Sequence, residues 1–265
     1  MPLKVIITGA NSGIGKALAI EYAKQGAVLG LMARNQDALK IIQDKLPCEA
    51  LIYSVDVTDL AQCRWAAEAF MAQHGTPDIV IANAGISSGT MTENFSDLDI
   101  FKKIIATNLV GAAHIFHPFI KPFKARGFGQ LVGVSSVAGI RGLPGAGAYS
   151  ASKSALTNYL ESLRIELASD NIHVTTIAPG YIKSPMTDAN DFTMPFLMPV
   201  DRAAQVMVKA IKNKKKFLIV PWQMNLIGRI MHVYRFLPGI GWPKKPLARK
   251  DCPSKISLII IIKMI

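Results

Sequence analysis

The sequence predicts an α/β fold built on a doubly wound parallel sheet, in a single domain. Through the first 220 residues, short apolar runs alternate with segments whose apolar residues recur at helical spacing. Runs that are apolar on both faces are typical of parallel strands covered by helices on both sides of the sheet. No internal repeat and no linker interrupts this region. We therefore predict one domain over residues 1–220 and a C-terminal extension over residues 221–265.

The predicted elements follow one another in strand–helix order. Short apolar runs predict strands at residues 4–8, 28–32, 51–55, 78–82, 130–135, 173–178 and 217–220. Apolar residues at helical spacing predict helices at residues 15–25, 36–46, 60–74, 98–125, 149–168 and 203–213. We expect the long helix at 98–125 to be disturbed at Pro118, because proline removes a backbone donor and crowds the preceding turn.

Composition narrows the class of protein. Half of the 265 residues are hydrophobic and 18% are charged, which excludes a disordered or collagen-like chain. Three cysteines without a closely spaced pair argue against a disulfide framework and a cysteine-based zinc site, and we predict no metal. Because residues 4–8 are predicted to be a strand, we expect no signal peptide there, and no run of about 20 apolar residues predicts a spanning helix. We expect a reducing, cytoplasmic location.

A glycine-rich loop, TGANSGIG at residues 8–15, joins the first strand to the first helix. Gly9 would permit a tight turn, Gly13 would let the backbone approach a pyrophosphate, and Gly15 would let the helix pack closely on the sheet. The helix N-terminus offers free N–H groups and a positive dipole end to phosphates. An ordinary turn containing glycines is the alternative, but the strand before it and the helix after it favour a Rossmann-like dinucleotide site.

The end of the second strand bears on which dinucleotide is bound. NAD-selective sites usually place an acidic residue there to hold the ribose 2′-hydroxyl. Here the residue is Arg34, whose guanidinium suits a 2′-phosphate because it can donate paired hydrogen bonds. The position favours NADP(H), and a solvated surface arginine is the alternative.

Tyr149 and Lys153 are four residues apart at the start of a helix, so they lie on one helical face. An ammonium beside a phenol favours the phenolate, so we expect a lowered Tyr149 pKa and a general acid for a carbonyl oxygen. Alone, this spacing is more often a surface pair. It is strengthened by Ser135 and Ser136 at the end of a central strand, and by Asn83-Ala84-Gly85 after another strand at the same edge.

Together these motifs resemble the short-chain dehydrogenase/reductase family, in its single-domain branch. The matching residues are TGANSGIG at 8–15, Asp56-Val57, NAG at 83–85, Asn108, Ser136, YSASK at 149–153 and Pro179-Gly180. They occur in the family's order and at its usual spacings, and they cover roughly residues 1–220.

The resemblance implies a catalytic tetrad. Tyr149 would be the acid–base, and Lys153 would lower its pKa and bind the nicotinamide ribose. Ser136 would hold the substrate oxygen, and we prefer it to Ser135 because it lies thirteen residues before Tyr149, the family's usual separation. Asn108 would anchor a water in a proton relay to Lys153. A serine that caps a turn and an asparagine that bonds backbone are the structural alternatives.

The resemblance also implies the cofactor contacts. Asp56 would bond the adenine with Val57 behind the ring, although residues 56–59 could instead cap the next helix. Asn83 would lie beneath the cofactor or serve only as a turn residue, and Pro179-Gly180 would turn the chain beside the nicotinamide. The predicted NADP(H)-binding residues are Gly9, Ser12, Gly13, Ile14, Gly15, Arg34, Asp56, Val57, Asn83, Ala84, Gly85, Tyr149, Lys153, Pro179, Gly180 and Ile182.

The implied reaction is hydride transfer between the nicotinamide and a carbonyl or alcohol carbon, usually toward reduction with NADPH. The following segment, residues 182–200, suits the wall of an adaptable apolar pocket or the packing of a helix onto the core. We predict a lipophilic ketone or aldehyde as substrate. A non-catalytic NADP(H)-binding protein on the same fold is the competing function. The apolar side chains of the segment are Met186, Phe192, Met194, Phe196, Leu197 and Met198.

The net charge of +12 arises entirely in the C-terminal part of the chain. Residues 1–200 hold 16 basic and 16 acidic residues, whereas residues 201–265 hold 14 and 2. An amphipathic helix predicted there could make a peripheral membrane contact through residues 214–237, or pack against the domain or a second subunit. A homo-oligomer is expected by analogy with the family, and the absence of a recognised motif argues against nucleic acid. The apolar stripe is Trp222, Leu226, Ile230, Val233 and Leu237.

Overall fold

The order of the strands defines the architecture of the domain. The structure, a computed structural model, describes residues 1–188 and 193–226. Its strands are β1 (Lys4–Thr8), β2 (Val28–Ala33), β3 (Ala50–Ser54), β4 (Ile79–Ala82), β5 (Gly129–Val134), β6 (Ile172–Pro179) and β7 (Phe217–Val220). Within this part of the chain they form one parallel sheet in the order β3-β2-β1-β4-β5-β6-β7. The predicted doubly wound parallel fold is therefore confirmed.

Helices cover both faces of this sheet. They are α1 (Gly13–Ala23), α2 (Gln36–Gln43), α3 (Leu60–His74), α4 (Asp97–Ile105), α5 (Gly111–Arg126), α6 (Gly147–Glu166), α7 (Pro185–Asp188) and α8 (Val200–Lys212). Side chains of β1 alternate between the two layers: Val5 and Ile7 pack with α1 and α8, whereas Ile6 packs with α3, α5 and α6. This two-sided burial is why the strands read as continuous apolar runs.

The strand order reverses between β1 and β4. From β1 the chain first adds β2 and β3 on one side, then crosses to β4 and continues outward on the other. In open α/β sheets, ligands bind beyond the carboxyl ends of the strands at such a reversal, which here lies between β1 and β4.

The disturbance predicted at Pro118 does not end the helix. The long helical stretch is instead interrupted earlier, by a π-helical segment at Ala106–Val110, and α5 continues through both Pro118 and Pro122. Packing explains the continuity, because fully burying each large apolar side chain contributes ~1.5–3 kcal/mol, against ~3 kcal/mol for a proline inside a helix. The fully buried side chains of α5 are Ile115, Phe116, Phe119 and Phe123.

The predicted C-terminal amphipathic helix falls mainly outside the described residues, at 227–265. Its first stripe residues, Trp222 and Leu226, are 73% and 62% exposed, and Met224 between them is buried. Lys214–Lys216 precede β7 and Trp222 follows it, so these basic and aromatic groups lie at opposite ends of that strand. Among the described helices, none combines the length and apolar character that crossing a bilayer requires. Membrane contact through residues 214–237 stays a prediction.

Candidate active site

The glycine loop has the backbone that its sequence predicts. Gly9 and Gly13 adopt φ values of +63° and +51°, in the left-handed region that favours glycine. A Cβ on Gly15 would overlap the Gly9 carbonyl oxygen and lie 2.6 Å from Asn83 Nδ2. Ser12 is the N-cap of α1, and within the described part of the chain its side chain does not cap the helix. The loop therefore leaves the N-terminus of α1 open to a phosphate-bearing ligand.

Asn83 fastens the glycine loop to β4 across the point where the strand order reverses. Its side-chain Nδ2 donates to the Thr8 carbonyl at 2.9 Å and to that of Gly9 at 3.4 Å. In return, the Thr8 hydroxyl accepts from the N–H groups of Asn83 and Ala84, both at 3.0 Å. Sequence reasoning missed Thr8, whose one signal was a hydroxyl at the end of β1. Asn83 is thus a connecting residue rather than a simple turn residue.

The structure separates the two roles proposed for residues 56–59. The Asp59 carboxylate caps α3 by accepting from Ala61 and Gln62 N–H groups, at 2.8 and 3.2 Å. Asp56 instead accepts from the Thr58 N–H and hydroxyl, at 2.9 and 2.8 Å. The Thr58 N–H, then its hydroxyl and the Arg34 charge, lower the Asp56 pKa. Asp56 is therefore an ionised carboxylate beside Arg34, and the helix cap belongs to its neighbour.

Arg34 follows β2 and Val57 follows β3, so both residues lie beyond the carboxyl ends of neighbouring strands. Arg34 is exposed directly after β2, and its carbonyl accepts from Ser54 Oγ at 3.1 Å. Val57 is buried against Gly111 of α5, and its carbonyl oxygen lies 3.0 Å from His114 Nδ1. The contact of these residues with the adenosine end of a dinucleotide stays a prediction.

The two serines after β5 differ in their partners. The buried Ser135 hydroxyl donates to the Lys153 carbonyl at 2.9 Å and lies 2.8 Å from Thr157 Oγ1, so it joins β5 to α6. Ser136 Oγ accepts from the Ala138 N–H at 3.1 Å, donates to the Pro179 carbonyl at 3.4 Å and hydrogen-bonds Tyr149. Ser136 therefore caps a turn and also contacts the phenol, whereas Ser135 is used for packing.

The Tyr149 pKa is raised, which contradicts the expected lowering. Burial raises it, and the hydrogen bond with Ser136 acts in the opposite direction. Lys153 Nζ lies 5.8 Å from the Tyr149 ring centroid and donates to the Val134 carbonyl at 2.8 Å, so one of its three N–H groups is directed at β5. Burial also lowers the pKa of Lys153 to about 8, because it disfavours the charged form of the side chain. The phenol is consequently kept protonated, as a proton donor requires.

Asn108 lies in the π-helical segment and is almost completely buried. Its Oδ1 accepts from the Ile86 N–H at 2.8 Å, and its Nδ2 donates to the Ile86 carbonyl and to Ser152 Oγ, both at 3.0 Å. A Cβ on Gly85 would lie 3.2 Å from Asn108 Oδ1 and 3.4 Å from Lys153 Nζ, so both groups border Gly85. Both amide hydrogens of Asn108 are therefore used within the protein, and its role in a proton relay stays a prediction.

The segment after β6 is partly buried and partly exposed. The Gly180 N–H donates to the Val220 carbonyl at 2.8 Å, and buried Ile182 pairs with Met198. Residues 189–192, and with them Phe192, lie outside the described part. The side chains of Met186, Phe196 and Leu197 are between 42% and 46% exposed. The apolar residues therefore divide between core packing and an exposed rim.

Replacing Lys153 by methionine should raise the free energy of unfolding at pH 7 by about 1–3 kcal/mol. Keeping the ammonium charged in the folded protein costs about 1.36 kcal/mol for each unit by which its pKa is lowered. The substitution removes this cost but also loses the hydrogen bond to Val134, which contributes roughly 1 kcal/mol. The unfolded chain binds more protons than the folded one between pH ~8 and ~10.4, so wild-type stability rises across that window. The advantage of Lys153→Met should therefore shrink there. Denaturant titrations at several pH values measure it.

The control for this prediction is Lys209→Met, which removes an exposed lysine of α8. It should change stability little, and equally at every pH. Lower stability than the wild type at pH 7 in Lys153→Met would contradict the assignment of Lys153 as a buried ammonium with a lowered pKa. So would a stability difference from the wild type that does not change with pH.

Fold and site together define a dinucleotide-binding domain with a Ser–Tyr–Lys cluster at the carboxyl edge of its sheet. A family model described as short chain dehydrogenase matches residues 3–194. The chain belongs to this family of oxidoreductases.

Individual relatives agree with that membership. An uncharacterized oxidoreductase of Myxococcus xanthus is 36% identical over 231 residues, which cover 86% of this chain and 91% of the relative. An 11-beta-hydroxysteroid dehydrogenase-like protein of Arabidopsis thaliana is 32% identical over 240 residues, covering 86% and 77%. The solved alcohol dehydrogenase of Thermococcus sibiricus, complexed with 5-hydroxy-NADP, is 25% identical with a TM-score of 0.74, covering 83% of this chain and 96% of that one.

Proposed function

We propose that this protein is an NADP(H)-dependent reductase of a lipophilic ketone or aldehyde. One observation carries the proposal: Tyr149 hydrogen-bonds Ser136 and has Lys153 beside its ring, at the sheet edge that also holds the glycine loop. A proton donor, a partner for the substrate oxygen and a cation are thereby collected next to a dinucleotide site.

The residues present fit a nicotinamide dinucleotide. The positive φ of Gly13 and the open N-terminus of α1 suit a pyrophosphate, and a Cβ on Gly9 would crowd Ala84 at 2.9 Å. Asp56 and Val57 would hold the adenosine end, and Lys153 the nicotinamide ribose. When bound, the nicotinamide supplies or accepts the hydride.

The proton is the contribution of this chain. With its pKa raised by burial, Tyr149 carries its proton at neutral pH and would donate it to the carbonyl oxygen as the oxygen becomes an alkoxide. Ser136 would hold that oxygen in line with the phenol. Lys153, with a pKa of about 8, is mostly charged at neutral pH and would stabilise the phenolate that remains.

An apolar rim supports a lipophilic substrate. Met186, Phe196 and Leu197 are exposed in the segment that follows β6, and flexible thioether and aromatic side chains suit an adaptable apolar wall. The name of the Arabidopsis relative, a hydroxysteroid dehydrogenase-like protein, fits the same substrate class. The competing function, an NADP(H)-binding protein without turnover, has the same fold but no use for the Ser136–Tyr149 contact.

Arg34 supports NADP(H) over NAD(H). It is exposed at the end of β2, where an NAD-selective site would have an acidic residue, and its charge acts on Asp56. A guanidinium there can bind a 2′-phosphate, and the Thermococcus relative was solved with an NADP derivative.

Wild-type protein should use NADPH in preference to NADH, and Arg34→Ala should narrow that preference by roughly tenfold or more. A hydrogen bond to a charged group contributes ~1.5–3 kcal/mol, and 1.4 kcal/mol corresponds to a tenfold change. The measurement is kcat/KM for both cofactors, using a panel of carbonyl compounds.

Arg64→Ala is the matched control, because Arg64 is an exposed arginine of α3 whose guanidinium lies 3.6 Å from the Glu68 carboxylate. It should leave the cofactor preference unchanged. Equal use of both cofactors by the wild type would remove the NADP(H) assignment, and absence of turnover across the panel would favour the non-catalytic function.

A further inference from the structure

Ser152 connects two residues of the candidate site. It is completely buried in the first turns of α6, and its hydroxyl donates to the Tyr149 carbonyl at 2.8 Å. The same oxygen accepts from Asn108 Nδ2 at 3.0 Å. Because a hydroxyl has one hydrogen and two lone pairs, both bonds can be made at once.

The bond to Asn108 distinguishes Ser152 from other helical serines. Serine and threonine hydroxyls in helices commonly bond a carbonyl three or four residues back, as Ser162 does with Asn158 at 3.3 Å. Ser162 is exposed, and its bond stays within one helix. Ser152 instead reaches from α6 to the π-helical segment, and Asn108 continues the connection to the backbone of Ile86 after β4.

The start of α6 lacks the usual means of fixing its position. Its N-cap is Ala146, and among the described residues no side chain caps the helix there. Tyr149 lies in this first turn. The backbone that carries the phenol is therefore fastened to the rest of the site through Ser152, with a second tie from the Thr90 N–H to the Gly145 carbonyl at 2.9 Å.

We propose that Ser152 is a positioning residue, which sets the Tyr149 phenol relative to Asn108 and Lys153. This inference rests on the proposed reductase function. Without the Ser152 hydroxyl, a buried amide hydrogen of Asn108 has no acceptor. The start of α6 then keeps its ties through Gly145 and Ser135 but loses the one that runs to Asn108. Misplacement of a catalytic group by about 1 Å can cost as much as 10²-fold in rate.

A neighbouring serine provides a matched control. Ser150 lies two residues earlier in the same turn and is 3% exposed, and its hydroxyl has no hydrogen-bond partner within the described residues. Ser150→Ala therefore removes the same atom from the same helix without breaking a bond.

The experiment compares Ser152→Ala with Ser150→Ala and wild type. We expect Ser152→Ala to lower kcat by roughly tenfold or more, to leave NADPH affinity within about threefold, and to shift the pH profile of kcat. Ser150→Ala should match the wild type in all three measurements. Ser152→Cys, of similar size but with a much weaker acceptor, follows the same expectation and serves if Ser152→Ala does not fold.

NMR provides a measurement that does not need turnover. The side-chain amide signal of Asn108 and the ring signals of Tyr149 should both shift in Ser152→Ala and stay in place in Ser150→Ala. Wild-type kcat and an unchanged pH profile in Ser152→Ala would overturn the inference, as would a fall in thermal stability alone or unmoved NMR signals. If the wild type reduces no carbonyl compound, the proposed function fails, and the NMR signals alone decide whether Ser152 positions Tyr149.

Discussion

Replacing Tyr149 by phenylalanine should lower carbonyl reduction by roughly 10²–10⁴-fold or more, while NADPH affinity stays within a few-fold. The substitution removes the phenolic proton and keeps the ring, and general acid catalysis typically contributes a factor of this size. The loss should appear in kcat, because the proton is transferred only as the transition state forms. Steady-state kinetics and a cofactor titration measure the two effects separately.

Tyr159→Phe is the control, since Tyr159 is a partly buried tyrosine of the same helix, α6. Tyr159→Phe also removes a phenolic oxygen, but it should leave kcat close to the wild-type value. A Tyr149→Phe protein that kept more than about a tenth of wild-type turnover would show that another group donates the proton.

A methyl group on Gly15 should reduce NADPH affinity by more than roughly tenfold and destabilise the fold by about 1–3 kcal/mol. The added Cβ would overlap the Gly9 carbonyl oxygen, which is backbone and cannot rotate away, and would crowd Asn83 Nδ2 at 2.6 Å. Alanine is about 1 kcal/mol better than glycine inside a helix, and this gain is smaller than the cost of the overlap. Fluorescence titration with NADPH and thermal unfolding are the measurements.

Gly147→Ala tests whether the effect comes from crowding. Gly147 is the first residue of α6, and a Cβ on Gly147 would meet no atom within 4 Å in the described structure. This variant should keep wild-type NADPH affinity and unfold at the same temperature or higher. Wild-type affinity in Gly15→Ala would show that the loop has room to move, and that its close packing does not hold the cofactor site.

Much of the fold could be predicted because its signals are local. Val5, Ile6 and Ile7 form a run that only a strand buried on both faces would tolerate, and the glycines of residues 8–15 mark a turn that other residues could not form. Most predicted element bounds differ from the observed ones by no more than three residues. The spacing of Tyr149 and Lys153 likewise predicted a shared helical face.

The features that could not be predicted depend on distant partners. The π-helical segment has no sequence signature, because the hydrogen bonds of Asn108 go to Ile86 and Ser152, 22 and 44 residues away. The direction of the Tyr149 pKa shift was wrong for a similar reason: the spacing places Lys153 on the right face, but the burial that raises the Tyr149 pKa arises only when the whole domain packs. Ser152 was visible only as one letter of the YSASK motif.

The π-helical segment makes the number of residues in this helix part of the site. The rotation of α5 about its axis is set by Phe116, Phe119 and Phe123, which are locked into the core. Each residue of an α-helix advances the chain by about 100° around that axis. Deleting one residue between Asn108 and Phe116 would restore a regular helix. It would also rotate either the Asn108 side-chain amide or the buried phenylalanines away from their present partners. Length variation that surface loops tolerate is therefore excluded at Ala106–Val110, whatever residues occupy it.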